Sequence, residues 1–316
     1  MLTHGSEIGV IVRLFLFFVS FRCPMLRRAV LAVLAMVLAS LALASLPASS
    51  LAYDIKPRDS LSAFTAKMRP DILGISTDST AESARAIFEA AFKGRLDTKT
   101  DIGQQKFGGT AVSYIAALNF NSASGPKQTG EVLSTSFSSP ASANRAYFVA
   151  RNLTFAQDQQ PSRTEMIKQV MDKYGEPTIV GDQHLYYVYR AGKIVSVGAK
   201  YKEATALEAI DRPLDPKAAI KLDGANGRGS CVAAVKRSLA KEKTLSAMLD
   251  EAKAANCDGT LSVQLTPGLA PDRIATAQFT LLDFKRIVSA ATIDGDALAA
   301  ESKERNPLPQ GNAPKL

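Results

Sequence analysis

Apolar positions recur along this chain with two periods, and the alternation between them lays out its elements. Ala84, Ile87, Ala91 and Phe92 fall at helical spacing behind Ser79, whose hydroxyl and Glu82 form a capping box, and Gly94 stops the run. A second helix is predicted over 163–174, with Ser162 and Glu165 as its capping box, Ile167, Val170, Met171 and Tyr174 as its stripe, and Gly175 and Pro177 as its stop. Between these helices the period falls to two. Residues 111–120 put Val112, Tyr114, Ala116, Leu118 and Phe120 on one side, 131–137 alternate, and 145–155 align Tyr147, Val149, Leu153 and Phe155. After the second helix a hairpin is expected: 184–190, a turn at Ala191-Gly192, then 194–201.

The same reading continues toward the C-terminus. Cys231–Val235 is expected to begin as a strand and Thr244–Asn256 to form a helix with Leu245, Met248, Leu249 and Ala252 inward. Strands follow at Thr260–Leu265 and Ile274–Leu282, then a helix over 284–302. The expected fold class is α+β, with short amphipathic helices packed on antiparallel sheets in two lobes. The N-terminal lobe is 53–201 and the C-terminal lobe 230–302. A linker at 202–229 carries Asp211-Arg212-Pro213 and Gly224, Gly227 and Gly229, and a polar tail at 303–316 is expected to be disordered. The helix Ser79-x-x-Glu82-x-x-Arg85 parallels Ser162-x-x-Glu165-x-x-Lys168, which raises an internal duplication.

Residues 1–52 form a signal region. Arg27 and Arg28 precede an apolar run from Ala29 to Leu46, Pro47 ends it, and Ser50-Leu51-Ala52 supplies small residues for cleavage after Ala52. Met25 directly before the arginine pair marks the expected start of translation. An uncleaved membrane anchor is the competing reading of the same run. Removing 1–52 takes four arginines and one glutamate and changes the net charge from +8 to +5, too mild a bias for a nucleic-acid footprint. No later run is long enough to cross a membrane, so the expected location is periplasmic or secreted.

In that compartment Cys231 and Cys257 are expected to form a disulfide, with a metal or redox pair as the rival. The whole chain has two histidines and three cysteines, which excludes a disulfide-dense scaffold and most zinc or haem proteins. No metal or other cofactor is expected, and no catalytic residue is nominated. His184 lies in a strand without a nucleophile elbow anywhere in the sequence. Gly224–Gly229 lacks the Gly-Lys-Ser/Thr ending of a phosphate loop, and Asp294-Gly295-Asp296 lacks the remaining ligands of a calcium loop. Lys236, Arg237, Lys241 and Lys243 form a basic cluster, either a solvated face or a site for anionic envelope polymers.

Lys173-Tyr174-Gly175-Glu176-Pro177 at a helix end, followed by an aromatic-rich hairpin, resembles the repeat of β-lactamase-inhibitor-protein-like folds and of small outer-membrane-assembly lipoproteins, over about residues 72–201. The lipidated cysteine of the lipoproteins is missing here. The resemblance implies short helices on a small antiparallel sheet, and protein binding or envelope upkeep without catalysis. It points to Tyr186, Tyr187 and Tyr189 as a binding face, with plain sheet packing as their alternative. The expected role is non-enzymatic binding of a protein or cell-envelope component. An envelope hydrolase using carboxylates and His184, or a structural envelope protein with no single partner, are the alternatives.

Overall fold

The computed structural model describes residues 55–95, 98–109, 112–123, 125, 127–180, 183–195, 231–270 and 272–305. Its helices are α1 (Ala81–Ala91), α2 (Arg163–Tyr174), α3 (Cys231–Ala240), α4 (Leu245–Ala254) and α5 (Phe284–Arg305). Its strands are β1 (Thr98–Phe107), β2 (Val112–Ser122), β3 (Gly130–Phe137), β4 (Ala146–Thr154), β5 (Ile179–Val180), β6 (His184–Arg190), β7 (Lys193–Ile194), β8 (Gly259–Pro267) and β9 (Ile274–Asp283). All pair antiparallel in one sheet of order β1-β2-β3-β4-β9-β8-β6-β5, with β7 also on β6. The α+β class holds.

The expected division into two lobes finds no boundary among the described residues. β9 pairs with β4 from Phe148↔Leu282 to Thr154↔Thr276, so strands of the C-terminal segment lie between β4 and β6. The physical reason is edge satisfaction: β4 and β9 are long strands whose open edges would each need a cover, and pairing them removes both. The signal region, the linker at 202–229 and residues 306–316 lie outside the described residues. Residues 303–305 continue α5 instead of starting a tail.

Across the β4–β9 seam the sheet repeats itself. The residue before β4 is Arg145, which bridges Thr80, the N-cap of α1; the residue before β9 is Arg273, which bridges Ser162, the N-cap of α2. The Ala146 N–H donates to Ser79 O at 3.0 Å, and the Ile274 N–H to Pro161 O at 3.1 Å. Arg145 Nη1 reaches Asp78 O at 2.9 Å, and Arg273 Nη1 reaches Gln160 O at 3.2 Å. Even the β-bulges match: Tyr147 is the extra residue between β3 and β4, and Ala275 the extra residue between β8 and β9. The true equivalence is Thr80 with Ser162, one residue off the sequence alignment. Thr80 accepts the Ser83 N–H and is the cap, whereas Ser79 Oγ accepts from Ser76 N. Ser162 caps α2 as expected, accepting from Glu165 N at 3.2 Å.

One sheet face, the front, is covered by α1, α2 and the segment 55–80. Ala81, Ala84 and Phe88 of α1 and Met166 and Val170 of α2 join Leu118, Leu133, Val149, Tyr187 and Leu261 in one core. Phe88 meets Phe120 edge to face at 5.0 Å, and Phe64 meets Tyr189 at 4.8 Å. The segment is fastened by Asp283, fully buried at the end of β9. Its carboxylate accepts from Ser62 Oγ (2.6 Å), Ala63 N (3.0 Å) and Thr77 Oγ1 (3.1 Å), and also caps α5 at Arg286 N (2.8 Å). Arg286, equally buried, bonds Ser60 and Asp78.

The opposite face, the back, is covered in part by α3, α4 and α5. α3 replaces the strand expected at Cys231–Val235. Cys231, Ala234, Val235 and Ser238 are all buried, and that spacing is helical although the valines favour a strand. Cys231 and Cys257 form a disulfide with Cα atoms 5.6 Å apart, fastening the start of α3 beyond the end of α4. No helix among the described residues is long and apolar enough to cross a membrane.

Candidate functional site

The three nominated tyrosines do not make a binding face. Successive strand residues point to opposite sides, so Tyr186 enters the back core while Tyr187 and Tyr189 enter the front core, and all are buried. Tyr187 OH donates to Gly175 O at 3.1 Å, and burial pushes the phenols of Tyr187 and Tyr189 up. His184 is half-buried on the back face and stacks on Tyr186 with centroids 5.6 Å apart. The basic cluster is absorbed locally. Arg237 and Lys241 pair with Glu251, and Lys243 Nζ caps the end of α3 at Ser238 O (2.7 Å) and Leu239 O (2.9 Å). The side chain of Lys236 lies outside the described residues. Asp294 and Asp296 diverge, Asp296 pairing with Arg58. Among the described residues no group of three or more His, Cys, Asp or Glu is placed to hold a metal.

A cleft of about 450 Å³ lies on the back face over β1–β4. Its floor is made of small side chains, Ala117, Ser134, Ser136 and Ala150, and its walls are Lys243, Thr244 and Leu245 before and in α4 and Asp294 of α5. Two bulges aim aromatic rings into it. Ala116 is the extra residue between β1 and β2, so Leu118 and Phe120 enter the front core while Tyr114 turns to the back. Tyr147, the extra residue of β4, stands with Phe148 on the back, while Val149 faces front. The uninterrupted alternation read from 111–120 and 145–155 is therefore broken at both places. Bulges re-aim side chains in this way beside functional sites.

Four titratable groups with displaced proton affinities line this cleft. Burial pushes the Asp294 carboxyl up, against hydrogen bonds from Ser139 and Ser142 that pull it down; Ser139 Oγ donates to it at 2.6 Å. Burial raises Tyr114, with the Asp294 charge adding to it, and burial raises Tyr147, whose OH donates to Lys243 O at 2.7 Å. Burial lowers Lys243, whose Nζ stands 5.6 Å over the Phe148 ring. This concentration of perturbed groups in a concavity makes the cleft the candidate site. The sequence held one signal for it: on α5, Asp294 and Glu301 share the inward stripe of Ile287 and Ala290, where a carboxylate is out of place. Glu301 accepts from Gly109 N at 3.0 Å, so α5 holds the β1–β2 and β3–β4 connections through carboxylates.

From the cleft the back face continues across the strands in register. One row runs Asn119, Ser134, Ala150, Thr280, Ser262, Tyr186. The next runs Asn121, Val132, Asn152, Gln278, Gln264, His184. A shorter third row is Gly130, Thr154, Thr276, Thr266. In the middle row Asn121, Val132 and Asn152 are exposed, and Gln278, Gln264 and His184 half-buried. Chemically, the cleft offers hydroxyl, amide and one carboxyl contact on a flat floor. It holds a hydroxyl–carboxylate pair, Ser139 on Asp294, and His184 is not beside it: His184 is on β6, and β9 and β8 lie between β6 and β4. Comparison with protein-family models, curated proteins and solved structures finds no match for this chain.

Proposed function

We propose that the protein is exported and non-enzymatic, and that it binds a protein or cell-envelope component on the back face of its sheet. The observation that carries this reading is the cleft over β1–β4. Two bulges, a half-buried carboxyl and a half-buried amine converge on a floor of small side chains, and the concavity is left open by the neighbouring helices. Export is supported by the apolar run Ala29–Leu46 ahead of Ser50–Ala52, and by the Cys231–Cys257 disulfide, which suits an oxidising compartment. The paired helix-and-sheet halves support kinship with the inhibitor-like lobes that Lys173–Pro177 suggested.

Native mass spectrometry of the tagged protein from periplasmic extract tests it. Wild type is expected to carry a ligand that Ser134→Phe, which fills the cleft from a half-buried floor position, releases. The same ligand retained by both proteins would move the site elsewhere. A hydrolase is the second reading, favoured by the raised Asp294 carboxyl, which suits a general acid. Turnover abolished by Asp294→Asn in an activity screen would establish it in place of binding.

A further inference from the structure

The three back-face rows span sixteen register positions on six strands without a single Asp, Glu, Lys or Arg. Four of these positions, Gly130, Thr280, Ser262 and Tyr186, are buried; for the other twelve the chain's charged fraction of 22% would give about two or three. Charge appears only where the rows meet the edge strand, at Asp101 opposite Asn119 and Lys99 opposite Asn121. What fills the rows instead is amide and hydroxyl. The middle row alone carries Asn121, Asn152, Gln278 and Gln264, at a strand spacing near 4.8 Å that stretches the row over about 24 Å.

We infer that this stripe binds an uncharged polyhydroxylated chain, a neutral glycan, laid across the strands. This rests on the back face being a binding surface. Each side-chain amide presents donors and an acceptor in one plane, which matches neighbouring sugar hydroxyls and acetamido groups. An anionic polymer, nucleic acid or lipid headgroup would need lysine or arginine, and the stripe has none. A protein partner would need aromatic, Met or Arg anchors at its centre. The one ring close to the centre of these rows is missing: Tyr186 and His184 stand at the far end, on β6, and Tyr186 is buried. The cleft opens onto the first row at Asn119, Ser134 and Ala150, so a chain lying on the stripe has an end-pocket for one sugar.

Titration calorimetry on the full exported chain tests this, with cellotetraose and the N-acetylglucosamine tetramer as neutral probes and heparin and poly-lysine as charged ones. Saturable binding of a neutral tetramer is expected. It should weaken roughly tenfold in the isosteric Asn152→Asp protein, whose one exposed substitution leaves the melting temperature at the wild-type value. Heparin and poly-lysine should not bind. Neutral binding that is unchanged in Asn152→Asp would overturn the stripe as the site. If neutral tetramers fail at millimolar concentration while wild type still carries a ligand released by Ser134→Phe, the glycan assignment falls and the binding role stands. If no ligand is carried either, both fall.

Discussion

At the bulge of the first half of the sheet stands Tyr147; at the matching bulge of the second half stands Ala275. The backbone device is the same and its use is not. Tyr147 and Tyr114 shape a cleft, and the back-face floor around them is small and open. The second half is closed down. Its Gly259 has no room for a side chain, since a Cβ would come within 2.8 Å of Leu282 O and 2.9 Å of Ala63 and Phe64. Asp283 beside it gathers the incoming segment and the cap of α5 on one carboxylate. The two halves share one backbone frame; one serves as the anchor and the other carries the candidate cleft.

That contrast can be broken by substitution. Asp283→Ala in the second half removes the buried acceptor shared by Ser62, Ala63, Thr77 and the Arg286 N–H, and leaves Arg286 with Asp78 alone as carboxylate partner. About 3–5 kcal/mol of stability should be lost in urea unfolding. Asp294→Asn in the first half should shift the same curve far less, and equal losses would erase the distinction between anchor and site. Opening the Cys231–Cys257 bridge by Ser replacement at both positions, which spans 26 residues of sequence, should cost roughly 3–4 kcal/mol, read as the difference between oxidised wild type and variant.

The smallest effect is the most diagnostic. The folded carboxyl of Asp294 is raised, so its contribution to stability is full below the unfolded carboxylate pKa and is lost as pH rises through the folded value. Asp294→Asn should therefore melt higher than wild type at neutral pH, with the gain vanishing in acid. A variant that melts lower at neutral pH would make Asp294 a structural ion and remove it from the site.

Much of the frame was legible from the sequence. α2, α4, β8 and β9 lie where periodicity put them, because their apolar stripes are unbroken, with Gly175 stopping α2 and Pro267 ending β8. β1 was not, since TKTDIGQQKF is an edge strand with only Ile102 and Phe107 to mark it. The one sheet was hidden as well, because register between β4 and β9 is a property of edges far apart in sequence. The site was least legible. Alternation assigned Tyr114 and Tyr147 to a core side, and nothing local announces a bulge. The tyrosines of β6 drew notice for their number, and a strand buried on both faces is where they ended.

The central seam of the sheet joins Phe148 to Leu282, so the first half cannot close until nearly the whole chain is present. Contacts that distant are slow to form. A polypeptide built this way stays open for longer after synthesis, a delay that would suit the export proposed above.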